Sequence, residues 1–229
     1  MKKKILFIIS IILIVIGIIL INYTNIMQYF YERKVSKNKE KFIETISTEE
    51  NKNLLDELYV ELQNRNQVLY ESEQENLVDP FSYEQSTIDL SEYGIDDNII
   101  GYINIPKMDI ELPIYLGANS TNMKKGATHL TETSYPIGGE NTNSVIAAHR
   151  GYSTGTMFRH IDLLEVGDLI YIQNFREELT YCVYEIKIVD PDEISELKIE
   201  EDEDIITLIT CHPYRINTQR YIVKAKRTE

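Results

Sequence analysis

Cys211 closes the alternating run TLITC, and Arg220 opens the next apolar run nine residues later, after the polar stretch HPYRINTQ. Thr207, Ile209 and Cys211 alternate with Leu208, Thr210 and His212, a period of two that suits a β-strand. If residues 212–219 form the loop of an antiparallel hairpin, positions 211 and 220 lie opposite each other on one face. A thiol attacks as its thiolate, which nearby positive charge favours. An arginine so placed can also donate charge-assisted hydrogen bonds to a developing oxyanion. His149 ends the apolar strand SVIAA and is followed by Arg150, Gly151 and a Ser/Thr/Gly loop. Strand ends that open into loops are where scaffolds present reactive groups, although position alone favours a structural histidine. Cys211, His149 and Arg220 together suggest acyl transfer through a thioester. The imidazole would protonate the leaving amine and then assist the incoming nucleophile.

The remaining candidates are weaker. His129, in GATHL, is expected to be packed or hydrogen-bonded, and His160 to be structural within a short helix. Alternation points His212 away from Cys211. Cys182, midway along LTYCVYEIK, fits the buried thiol that most free cysteines become. A bridge between Cys182 and Cys211 would abolish the nucleophile, so none is expected. No histidine or cysteine spacing matches a zinc motif, and the site is expected to need neither metal nor cofactor. The acidic tract EEDED at 200–204 reads as a solvated loop, with a calcium site as its alternative.

The elements that must carry these residues follow a clear order. Lys2, Lys3 and Lys4 precede an uncharged run from Ile5 to Ile21. About 17–20 such residues suffice for a membrane span, and the lysines are expected to stay cytoplasmic with the rest of the chain exported. The run is longer than a signal-peptide core and does not end in small residues, which favours an uncleaved anchor over residues 1–23. Removing three lysines takes the formal charge from −14 to −17 for the exported part. Such acidity argues against a nucleic-acid partner. Residues 24–76 lack Pro and Gly, and Phe42/Ile46 and Leu54/Leu58/Leu62 recur at helical spacing. Two amphipathic helices are expected, broken near STEEN. Asp79-Pro80 forces a turn. From Ile99 onward seven short apolar strands joined by turn residues indicate a β-barrel or sandwich, with short helices at STNMKKGA and GTMFRHIDLL.

TLITC followed by Arg220 resembles the TLxTC…R signature of the sortases, the membrane-anchored cysteine transpeptidases of Gram-positive surfaces, and NSVIAAHRG resembles that family's histidine segment. The resemblance covers about residues 77 to 226. It implies a mainly β fold, a closed eight-stranded sortase-type barrel with short helices, preceded by N-terminal helices and a transmembrane helix. The organisation expected is an anchor at 1–23, a helical juxtamembrane region at 24–76, a lid loop at 77–92 and a catalytic barrel at 93–229. The resemblance also implies Cys211, His149 and Arg220 as the catalytic set. It implies cleavage of an LPxTG-like sorting signal between Thr and Gly, with transfer of the acyl group to an amine.

HLTETSYPIGGENTNSVIAAHRG and CHPYRINTQR are similar to the pilin-polymerising class C enzymes, whose acceptor is a pilin lysine. DPF at 79–81 matches the class C lid, which implies Asp79 near Cys211 or Arg220 and Phe81 over the histidine. Many class C members carry a second membrane segment after the barrel, whereas this sequence stops at KAKRTE. His212 stands where the family more often has a small hydroxyl residue. The alternatives are a sortase that anchors proteins to cell-wall peptide and, in another class, a non-catalytic membrane-tethered adhesin.

Overall fold

The structure is a computed structural model describing residues 2–79, 81, 88–152 and 155–228. Pro80 and residues 82–87 of the expected lid, and residues 153–154 of the loop after His149, lie outside the described residues. Helix α1 (Lys2–Ile21) is apolar almost throughout. Its segment Lys3–Ile21 has a mean hydropathy of 3.2 and is unburied, so by length and composition it can cross a membrane.

Helices α2 (Tyr23–Ile46) and α3 (Glu49–Glu71) break at Ser47-Thr48, inside the expected STEEN boundary. Thr48 adopts extended geometry, and Glu49 and Glu50 place negative charge at the positive end of the α3 dipole. Leu58 and Leu62 of the expected stripe bury, with Leu55 in place of the half-buried Leu54, and join Val35 and Phe42 of α2 in the same core as the barrel. The Phe42 ring meets Tyr102 edge-on at 5.5 Å. Full burial of Leu58 and Leu62 is worth about 1.5–3 kcal/mol each. Asn66, one turn further, uses its side chain as a backbone partner. It accepts from Tyr135 N at 2.8 Å and donates to Tyr135 O at 3.4 Å.

Eight strands close the barrel: β1 (Ile99–Ile105), β2 (Ile110–Leu116), β3 (Ala127–His129), β4 (Thr142–Ala147), β5 (Leu169–Asn174), β6 (Glu178–Val189), β7 (Asp204–His212) and β8 (Gln219–Arg227). Around the barrel they run β1-β2-β3-β4-β7-β8-β6-β5. β2/β3 and β4/β7 are parallel and the other neighbours antiparallel. Pattern alone reveals seven strands; the eighth, β3, has only three residues and shows no alternation to read.

The two expected short helices shrink to turns. At STNMKKGA the Asn119 side chain accepts from the backbone N–H groups of Thr121 and Asn122, and the turn ends at Gly126. A Cβ on Gly126 would lie 2.7 Å from the Pro113 carbonyl oxygen, so entry into β3 needs glycine there. GTMFRHIDLL keeps one three-residue 3-10 turn at Ile161–Leu163.

Candidate active site

The β7–β8 hairpin forms in the register the spacing predicts. Cys211 pairs with Arg220 and His212 with Gln219, leaving residues 213–218 as the loop. β4 runs parallel to β7 on its other side, with Ala147 opposite Ile209. Past the last paired residues, Ala148 N donates to Ile209 O at 3.3 Å and Thr210 Oγ1 donates to Ala148 O at 2.7 Å. His149 and Cys211 each stand two residues beyond that last pair. The three expected residues therefore meet at one barrel end on three adjacent strands.

His149 is held by its backbone and its ring face. Its carbonyl accepts from Gly151 N at 2.7 Å and Phe158 N at 3.1 Å. Gly151 has φ +90°, the left-handed region that glycine adopts without a Cβ penalty. The imidazole stacks on Tyr152, 5.3 Å between centroids and 15° between planes. Burial, then the positive charge of Lys124, holds its pKa below the usual histidine value.

Arg220, only 8% exposed, is saturated with acceptors. Nε and Nη2 donate to the two carboxylate oxygens of Asp79 at 3.0 and 2.8 Å, and Nη1 donates to the carbonyls of Gln219 (3.1 Å) and Asn217 (3.4 Å). Phe81 lies between the two basic groups. The guanidinium carbon is 4.8 Å from its ring centroid, and the His149 ring is 6.5 Å away. The approach to Asp79 is pinned upstream. Gln74 donates to Glu132 O at 3.1 Å and accepts from Ile199 N at 2.7 Å, while Leu77 packs among Ala118, Val145, Ile209 and Ile222.

Among the described residues, no three histidine, cysteine or carboxylate side chains converge as a metal set. The acidic tract is less free than a solvated loop. Glu200 accepts from Lys224 and Tyr184, Glu203 from Lys226, and Asp204 from Gly139 N and Tyr181.

Residues 103–228, more than half of the chain, match the Sortase domain family model. The chain belongs to the sortase family. It is 34% identical to Sortase D of Bacillus subtilis over 130 residues, 56% of this chain but 63% of that relative's length. Sortase C1 of group B Streptococcus Pilus Island 1 superposes with a TM-score of 0.75 at 30% identity, covering 85% of this chain and 98% of that one. Sortase C of Streptococcus pneumoniae gives 0.74 at 35% identity, covering 83% and 96%. The closed eight-stranded barrel with its preceding helices is thus the sortase fold, and solved class C structures are among its neighbours.

Arg220 lowers the Cys211 pKa as expected, yet the thiol still lies above its ordinary value. Burial raises it most, Arg220 opposes, and Asp79 raises it further. The carboxylate gripping the guanidinium offsets part of its effect on the thiol. Cys182 was expected to be buried, but it is half-buried on the outer face of β6, because Leu179, Tyr181 and Val183 take the inward positions. Both cysteines are free thiols. Cys182 pairs with Lys226, six residues along β8 from Arg220. At about 3.3 Å per residue that is roughly 20 Å, far beyond disulfide reach.

The other histidines divide by burial. His129 is sealed in β3, stacked on Tyr135 at 4.9 Å and hydrogen-bonded to the carbonyls of Thr133 and Ser134; burial pushes its pKa down to about 4. His160 is exposed. His212 accepts through Nδ1 from Nη1 of Arg150. Sequence reasoning passed over Arg150 and Tyr152; their one local signal was an arginine directly after a strand-ending histidine.

Proposed function

We propose that this sortase is an extracytoplasmic cysteine transpeptidase of the pilin-polymerising kind, tethered by α1, with Cys211, His149 and Arg220 as its catalytic residues. The carrying observation is that Cys211 and Arg220 are register partners while His149, like Cys211, stands two residues beyond the last pair of the parallel β4–β7 ladder. Cys211 attacks the carbonyl carbon of the scissile bond in an LPxTG-like sorting signal, and Arg220 donates to the resulting oxyanion. As Cys211 attacks, its thiol proton passes to His149; collapse then expels the amine with that proton from His149 and leaves a thioester. The incoming amine loses its proton to His149 as it displaces the thiolate. The acceptor we favour is a pilin lysine side chain, which accords with the pilus-related sortase C neighbours.

The segment bearing Asp79 and Phe81 acts as a lid in this reading. It occupies the donors of Arg220 and the space beside His149, so substrate entry requires it to withdraw. Full-length protein in detergent tests the proposal with a fluorogenic sorting-signal peptide and two acceptors, a lysine-bearing pilin domain and a wall-peptide mimic. Cys211-dependent cleavage with joining to the pilin lysine supports it. Joining to the wall mimic alone would reassign the enzyme to surface anchoring. Activity unchanged in Cys211→Ala would refute the mechanism.

A further inference from the structure

The residues that directly follow the three proposed catalytic groups form a second cluster of their own. Arg150 follows His149, His212 follows Cys211, and Tyr221 follows Arg220. Arg150 Nη1 donates to Nδ1 of His212. Its guanidinium carbon lies 5.5 Å from the Tyr221 ring centroid, and the His212 and Tyr221 rings are 5.7 Å apart at 43°. Nη2 of Arg150 is 3.3 Å from Asp162 Oδ1. Arg150 is 8% exposed, unusual for an arginine just past a strand end.

We propose that Arg150, His212 and Tyr221 are positioning residues that set the spacing of His149, Cys211 and Arg220. The inference rests on the transpeptidase reading for what is positioned, and on the contacts above for how. The regular β4–β7 ladder stops at Ala147 and Ile209. Beyond it the strand ends are tied below by Ala148 N to Ile209 O and Thr210 Oγ1 to Ala148 O, and above by Arg150 to His212. His149 and Cys211 lie between these ties. Removing the upper tie leaves the acid/base and the nucleophile on strand ends joined from one side only.

The chemistry of the tie explains its residue types. Arginine donates and cannot accept, so His212 must present a bare Nδ1 and carry its proton on Nε2. That choice fixes the imidazole's tautomer and ring plane. The ring and the guanidinium then share Tyr221, the neighbour of Arg220, which brings the third strand into the same cluster.

Steady-state cleavage of a sorting-signal peptide by the full-length protein tests this. His212→Ala should lower kcat roughly 10- to 100-fold with KM within about twofold, the pattern of misplaced reacting groups rather than lost substrate contacts. His212→Asn, whose amide oxygen can take the place of Nδ1, should restore kcat to within about threefold of wild type. Arg150→Gln combined with His212→Ala should be no worse than the more impaired single variant, because both remove one interaction. Wild-type kcat in His212→Ala, an Asn variant no better than Ala, or losses that follow Tm alone would overturn the proposal. Cys211→Ala separates the two readings. If it remains active, the transpeptidase mechanism falls and the positioning role with it. If it is inactive while His212→Ala turns over normally, only the positioning role falls.

Discussion

Each carboxylate oxygen of Asp79 accepts one hydrogen bond from the Arg220 guanidinium, at 3.0 Å from Nε and 2.8 Å from Nη2, across 141 residues of sequence. Such a side-on pair is among the stronger polar contacts a protein makes. It occupies the donors that an oxyanion on Cys211's substrate would need. It also offsets part of the positive charge that favours a thiolate, while burial, the largest influence on Cys211, keeps its pKa raised.

Releasing Asp79 should therefore activate the thiol. Asp79 raises the Cys211 pKa and Arg220 lowers it, so Asp79→Ala leaves the lowering charge unopposed. Alkylation of Cys211 at pH 7 should accelerate about threefold to tenfold, and the pH at half-maximal rate should fall. An unchanged rate profile across pH 6–9 would contradict the blocking contact.

Arg220 itself should be irreplaceable by lysine. Its planar fork meets Asp79 with two donors and two backbone carbonyls with a third. Arg220→Lys should reduce kcat by about 10²-fold or more, the range for losing an oxyanion donor, with circular dichroism unchanged. Retention of more than half the wild-type kcat would remove Arg220 from the oxyanion role.

Acid should destabilise the fold through histidine. The pKa of buried His129 is pushed down to about 4 from 6.5, and those of His149 and His212 are also depressed. A histidine with a depressed folded pKa is neutral in both states at high pH. As pH falls below 6.5 the unfolded chain binds the proton first, so stability is complete above that pH and declines below it. His129 alone should account for about 3 kcal/mol lost on passing below pH 4. Urea melts at pH 7.5, 6, 5 and 4 would measure it, and His129→Phe should flatten the slope.

Helix α3 should matter to the barrel through one side chain in particular. Leu58 is fully buried in the shared core, and Leu58→Ala should cost about 2–5 kcal/mol. Asn66→Ala should cost about 1–3 kcal/mol by removing the acceptor of the buried Tyr135 N–H, while Tyr135 O keeps the Ile137 N–H. Chemical denaturation of the full-length protein would rank the two, and a loss below 0.5 kcal/mol in both would show α3 to be energetically separate.

Much of the site was legible because its signals are local. Alternation in TLITC and the nine-residue step to Arg220 imply a hairpin, and a hairpin's register follows from its loop. The same holds for the α3 stripe, where steps of four marked Leu54, Leu58 and Leu62, although Leu55 and not Leu54 completes the buried side. Locality also marks where reading failed. β3 is too short to alternate, and its pairing with β2 is parallel, so no turn announces it. Alternation in LTYCVYEIK establishes two faces but not which one meets the core, and Cys182 fell on the outer one.

By itself the chain's order of residues determined the apolar first helix, the helical stripes, the strand-rich second half and the Cys211–Arg220 pairing. All of these depend on neighbours within about ten positions. Only the tertiary structure decided that β4 lies beside β7, that Asp79 pairs with Arg220, that burial outweighs the guanidinium at Cys211, and that Arg150 reaches His212. Those outcomes depend on barrel closure, which brings groups 62 to 141 residues apart into hydrogen-bonding distance and removes water from between them.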